Sequence, residues 1–344
     1  MRWETRTVDG TTPLPGLELG GLLRTVRAPE FAGVTFHEVA PRTAVNRVPP
    51  TAGMPFRWSL NPMRGCLHAC AFCYARRSHE YLDLGAGEDF ETQIVVKTTI
   101  VEVLRRELRR PSWQHEHVAV GTTSDPYQRA EGRYALMPGI VEALATSGTP
   151  FSVTTRGTLL RRDLPLLADA AGQVRVGVNV SLGLLDAELA RSLEPGAPTP
   201  RVRLELIRAV REAGLPCHVF LAPVLPWLTD GDAELDGLLA AIAAAGATGV
   251  SVIPLNLPGS VRGVFFGWLA RAHPELVPRY DELFSRRTAG AYGEWLRGRV
   301  APLLARHGFD GRSTVGPAWS SRQRGAGHGS GGVAPPVVAQ PALF

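Results

Sequence analysis

FRWSLNPMRGCLHACAFCYARR, residues 56–77, joins a short apolar run to a loop that holds three of the chain's four cysteines, Cys66, Cys70 and Cys73, inside eight positions. The run FRWSL (56–60) reads as a strand, so the CxxxCxxC loop follows a strand's C-terminal end, where parallel α/β barrels carry their chemistry. Three thiolates at this spacing can hold three irons of a 4Fe–4S cube and leave the fourth iron without a protein ligand. The competing reading is a zinc site completed by His68 or His79. Zinc ribbons bring cysteines in two separated pairs, however, and the chain has no second pair. Four cysteines in 344 residues are too few for a disulfide framework.

Outward from this loop the texture alternates. Five further apolar runs read as strands: HVAVGTT (117–123), FSVTT (151–155), VRVGVNVSL (174–182), HVFLAPVL (218–225) and GVSVIPLNL (249–257). Between them lie helical patterns such as TTIVEVLRRELRR and PRVRLELIRAVREAG, several closing on glycine. Six strands alternating with helices predict a parallel α/β sheet, open or curled into a partial barrel. Residues 1–54 read as a lead-in that wraps this core, 55–258 as the core itself, and 259–310 as a helical C-terminal extension. The stretch 311–344 is poor in core-forming residues and reads as disordered.

The N-terminus carries Glu4 and Asp9 where a secretory signal needs an apolar stretch, and no long uncharged apolar run is present. A cytoplasmic, reducing setting without membrane contact is expected. The net charge of +5 invites a nucleic-acid partner. Lys97 is the only lysine, though, so the basicity is almost entirely arginine, and a GC-rich coding bias explains it as well.

The CxxxCxxC spacing, with Phe72 before the last cysteine, resembles the signature of the radical S-adenosylmethionine superfamily. Further stretches resemble the branch of that superfamily similar to spore photoproduct lyase, and its actinobacterial members above all. They are TFHEVAPRTAVNRVP (35–49), VGTTSDPYQRAE (120–131), TTRGTLLRRDLPLL (154–167), SLEPGAPTPRVRLELI (192–207) and AGLPCHVFLAPVLPWLTD (213–230). The resemblance implies a partial (β/α)6 TIM-like barrel, a 4Fe–4S cluster on the three cysteines, and S-adenosylmethionine on the open iron. It implies that Phe72 and Tyr74 lie against the adenosyl group. By the same carry-over Ser124 and Asp125 meet the methionine amino end, Arg156 meets its carboxylate, and Ser181 meets the ribose. An electron donor such as flavodoxin or ferredoxin is implied as a partner, with nucleic acid among the permitted substrates.

One departure bears on chemistry. In the lyase the residue before the Ser–Asp pair is a cysteine that returns a hydrogen atom, whereas here it is Thr123, whose O–H bond is far too strong. Cys217 and Tyr127 are the remaining candidates for that role, Cys217 reading otherwise as a buried small hydrophobe. The alternative to an enzyme is a zinc-bound nucleic-acid or protein-binding module, with Arg312, Arg322 and Arg324 in a basic tail.

Overall fold

The computed structural model describes residues 6–7, 21–285 and 289–309. Six strands lie side by side in sequence order: β1 (Trp58–Leu60), β2 (Val118–Val120), β3 (Phe151–Thr155), β4 (Val176–Ser181), β5 (Cys217–Val224) and β6 (Gly249–Pro254). Each pair is parallel. Val45–Arg47 adds an antiparallel strand to the edge of β1. The result is the partial barrel expected, with helices in every crossover.

Strand and helix sequences explain this order. Outward-facing strand residues such as Val118, Val120, Val153 and Val178 are fully buried under the helices. The alternate positions, among them Ser152, Thr154, Asn179 and Ser181, face a central cavity. The helix Ile100–Leu108 buries Ile100, Val103, Leu104 and Leu108, a stripe along one face. Pro200 opens the helix Pro200–Glu212 at a first-turn position, where a missing N–H costs nothing.

A second sheet was not legible in the sequence. Leu22–Arg27, Thr35–Val39, Gln93–Lys97 and Met63–Arg64 form it, with Arg6–Thr7 at its edge. The run QIVVK (93–97) is five residues long and continuous with the amphipathic helix that follows, so periodicity alone assigns it no strand. Its inner face, with Phe36, Met63, Ile94 and Val96, joins the main core. Its outer face, with Val39 and Val95, is covered by Leu82 of the short 3-10 helix Tyr74–Leu82.

The C-terminal extension forms the helices Val261–Ala272, Val277–Ser285 and Ala289–Arg306. Phe265, Trp268 and Tyr280 pack with Leu225, Leu255 and Ala71 of the cysteine loop, and Phe72 rests against the same cluster. This extension therefore roofs the loop. No helix among the described residues is long and apolar enough to cross a membrane. The stretch 311–344, with Arg312, Arg322 and Arg324, lies outside the described residues.

Candidate active site

The loop of residues 66–73 has almost no regular structure of its own, so its backbone groups need partners from elsewhere. Fully buried Gln128 supplies two: its Oε1 accepts from Leu67 N at 2.8 Å, and its Nε2 donates to Gly65 O at 3.1 Å. Cys66 N donates to Phe90 O at 3.0 Å, and Ala71 N to Leu193 O at 2.9 Å. Gly196 N donates to His68 O at 3.1 Å. A β-carbon at Gly196 would run into the Leu67 carbonyl oxygen, so only glycine lets this segment lie against the loop. From below, buried Arg76 donates to Cys70 O at 2.8 Å and to Gly87 O at 2.8 Å, and it is ion-paired with Glu91. Cys66 and Cys70 are buried and Cys73 is half-buried.

Asp125, just past β2, ties this loop to β3. Its Oδ1 accepts from Thr155 Oγ1 at 2.6 Å and from Tyr127 N at 2.9 Å, while its Oδ2 accepts from Arg156 N at 2.8 Å. His68 Nδ1 stands 3.3 Å from the same Oδ2. Burial opposes charge on this histidine, but the Cys66 thiolate and the Asp125 carboxylate overcome it and push it up to about 9. Burial likewise pushes the Cys66 thiol up, yet His68 holds it below the ordinary thiol value. Ser124 Oγ donates to Met63 O at 2.8 Å, pinning the strand that leads into the loop.

Arg156 reaches the loop from the end of β3. Its Nη1 lies 2.6 Å from Glu194 Oε2 and 2.9 Å from Cys70 Sγ, and its guanidinium carbon sits 5.6 Å from the centre of the Phe72 ring. The other oxygen of Glu194 pairs with Arg203, which is 1% exposed and also donates to Ser181 O at 3.2 Å. Burial pushes the Cys70 thiol well up, with Arg156 opposing it.

Beside these groups opens a cavity of about 340 Å³ at the C-terminal ends of the strands. Phe72, Cys73, Tyr74, Arg156 and Ser181 all line it, together with Met54 and Phe56 from the lead-in. The Tyr74 hydroxyl donates to Thr122 O. Ser124 and Asp125 do not line the cavity but brace its wall from behind.

The two candidate hydrogen donors lie elsewhere. Cys217 begins β5, the cavity being lined by Phe220 and Ala222 further along, and its alternation places it on the opposite face from them. Burial pushes its thiol up to about 12. Tyr127 is 1% exposed within the main core. Sequence reasoning passed over Glu194, Arg203, Gln128 and Arg76. The signal for the first two was present in SLEPGAPTPRVR, where an acid precedes Pro-Gly and an arginine falls inside an apolar helix stripe.

The three thiols suit a cube, which takes one thiolate per iron. Among the described residues no three His, Cys, Asp or Glu side chains form a group that could hold a single metal ion. Residues 60–239 match the Radical SAM superfamily. Uncharacterized protein Rv2578c of Mycobacterium tuberculosis is 59% identical over 327 residues, 92% of this chain and 96% of its own. Uncharacterized protein ORF301 of Acidianus two-tailed virus is 31% identical over 173 residues, 49% of this chain and 56% of its own. A solved double mutant of spore photoproduct lyase with bound AdoMet and dinucleoside spore photoproduct shares the fold at a TM-score of 0.53 and 14% identity, over 69% of this chain and 67% of that one. The match spans more than half of the chain and includes the cysteine loop and its bracing residues, so the protein belongs to the radical SAM superfamily, whose cofactors are a 4Fe–4S cluster and S-adenosylmethionine.

Proposed function

We propose that the chain is an enzyme that reductively cleaves S-adenosylmethionine and abstracts a hydrogen atom from a substrate still to be identified. When bound, the cluster supplies the electron and S-adenosylmethionine supplies the 5'-deoxyadenosyl radical. The observation that carries this reading is the meeting of three thiols, Arg156 and an apolar-walled cavity at one end of six parallel strands.

In this reading Cys66, Cys70 and Cys73 hold the cluster. Arg156 takes the methionine carboxylate, oriented by Glu194, and its planar fork suits a bidentate contact. Phe72 and Tyr74 flank the adenosyl group, and Ser181 reaches the ribose. Both oxygens of Asp125 are engaged by the chain itself, so its part is to fix His68 and the β3 end. Ser124 acts with it by pinning Met63. The largely apolar wall excludes water, which protects a reactive radical.

The hydrogen-return step departs from the lyase's route at Thr123, whose backbone N–H is bound to Asn61 Oδ1 at 2.8 Å. Nucleic acid stays among the candidate substrates through the net charge of +5, and flavodoxin or ferredoxin among the candidate electron donors. The test is the EPR spectrum of anaerobically reconstituted, dithionite-reduced protein with and without S-adenosylmethionine. A reduced 4Fe–4S signal that changes on addition, with 5'-deoxyadenosine as product, supports the reading. Bound zinc without iron overturns it. Alanine at any one of the three cysteines is expected to abolish both the signal and the product.

A further inference from the structure

Arg64 and Lys97 stand together on the outer face of the second sheet. Arg64 is paired across the ladder with Val95, and Lys97 is two residues beyond Val95 on the same face, a diagonal neighbour at roughly 7–8 Å between backbones. Both are half-buried. Lys97 Nζ makes one hydrogen bond, to Asn61 O at 2.8 Å, and neither cation has a carboxylate partner among the described residues. Burial, and then the charge of Arg64, pull Lys97 down to about 8. In a chain with a single lysine, that residue therefore sits where its charge is least at ease.

The side chains that act most on the three thiols are His68, Asp125, Arg156, Glu194 and Arg76, and Arg64 and Lys97 are not among them. The neighbours on this face are His37, already bonded to Thr25 and Gln93, buried His79, which meets Gln93 O at 2.9 Å and feels the charge of Arg64, and apolar Val39, Val95 and Leu82. Lys97, however, is linked to the cavity wall through one residue. Asn61, which receives Lys97, donates through Nδ2 to Thr122 Oγ1 at 3.0 Å, and Thr122 lines the cavity next to Tyr74.

We infer that Arg64 and Lys97 form a binding site for a phosphate monoester, the anionic handle of a substrate. The inference rests on the radical-enzyme reading for the word substrate, but not for the site. Two cations without a counter-ion match a group that carries about −1.5 to −2 at neutral pH better than they match a singly charged diester. Arginine offers a planar fork and lysine a point charge, a combination suited to several phosphate oxygens at once.

The experiment is calorimetric titration of the full-length, anaerobically reconstituted protein with inorganic phosphate, methyl phosphate and dimethyl phosphate at fixed ionic strength in chloride. Saturable binding of the first two is expected, weakened about tenfold or more by Lys97→Met and by Arg64→Met and retained by Lys97→Arg. Melting curves of each variant confirm that the fold is kept. Failure of the unmodified protein to bind phosphate, or equal binding by both methionine variants, overturns the site. Preference for dimethyl phosphate, or for a short oligonucleotide without terminal phosphate, overturns the monoester and makes this a diester contact. Formation of 5'-deoxyadenosine is assayed on the same sample. Its loss with phosphate binding intact counts against the radical reading alone.

Discussion

Arg156 and Arg203, on the barrel side of the cysteine loop, share the carboxylate of Glu194, whereas Arg64 and Lys97, on the outer sheet, share no anion among the described residues. The first set is locked. Glu194 is buried between two guanidiniums, and Arg203 also donates to Pro198 O and Ser181 O, so removing the carboxylate leaves a buried charge alone. The second set is open. Its two cations carry the cost of burial with little return, a pattern expected where a ligand from outside supplies the missing charge. One arrangement has its counter-ion within the chain; the other has none among the described residues.

The harshest way to break this contrast is to remove the shared carboxylate. Glu194→Ala leaves two buried arginines unpaired beside the loop, and a loss of about 3–5 kcal/mol is expected, read as a fall in denaturation midpoint. Iron content should fall with it, because Glu194 also orients the arginine that touches Cys70. If the midpoint barely moves, the locked set is not locked and the contrast fails.

A milder cut separates orientation from charge. Arg156→Lys keeps the positive charge, and one ammonium can stand where Nη1 alone meets Glu194 and Cys70, but it gives up the planar fork that suits a bidentate carboxylate contact. The expected outcome is a cluster that still assembles, seen in its visible absorbance, and a KM for S-adenosylmethionine raised about tenfold. An unchanged KM would remove Arg156 from the cofactor contacts and leave it a structural partner of Glu194.

These tests touch residues of unequal visibility in the sequence. The six parallel strands were legible because each is a compact apolar run bounded by turn residues and followed by a helical stripe, as in FSVTT before LLRRDLPLLADAAG. The cysteines were legible because loop spacing is a local property. Glu194 and Arg203 were not singled out, since their meaning lies in a contact with residues 156 and 70 that no local pattern encodes. Lys97 was seen as the only lysine and given no role, because the strand that carries it, Gln93–Lys97, joins a sheet assembled from four distant segments. Asp125 is intermediate: the Ser–Asp pair was legible, while its engagement by His68, Thr155 and Arg156 required the fold.

The smallest expected effect bears on the open set and carries the opposite sign from Glu194→Ala. Lys97 has an ordinary value of 10.5 and stands at about 8 in the fold. Below pH 8 both folded and unfolded chains hold the proton, so the full cost of burying the charge is present. Between about 8 and 10.5 the folded chain has released the proton and the unfolded chain has not, so stability rises with pH across that window, and above it the cost is gone. Lys97→Met removes the charge at every pH and forfeits one hydrogen bond to Asn61 O, so a gain of about 1–2 kcal/mol is expected at pH 7, shrinking toward pH 10. Added inorganic phosphate should stabilise the unmodified protein at pH 7 and the methionine variant less, because in the variant only Arg64 is left to meet the anion. A variant less stable than the parent at pH 7 would mean that Lys97 is already satisfied, and the contrast between the two cation sets would collapse.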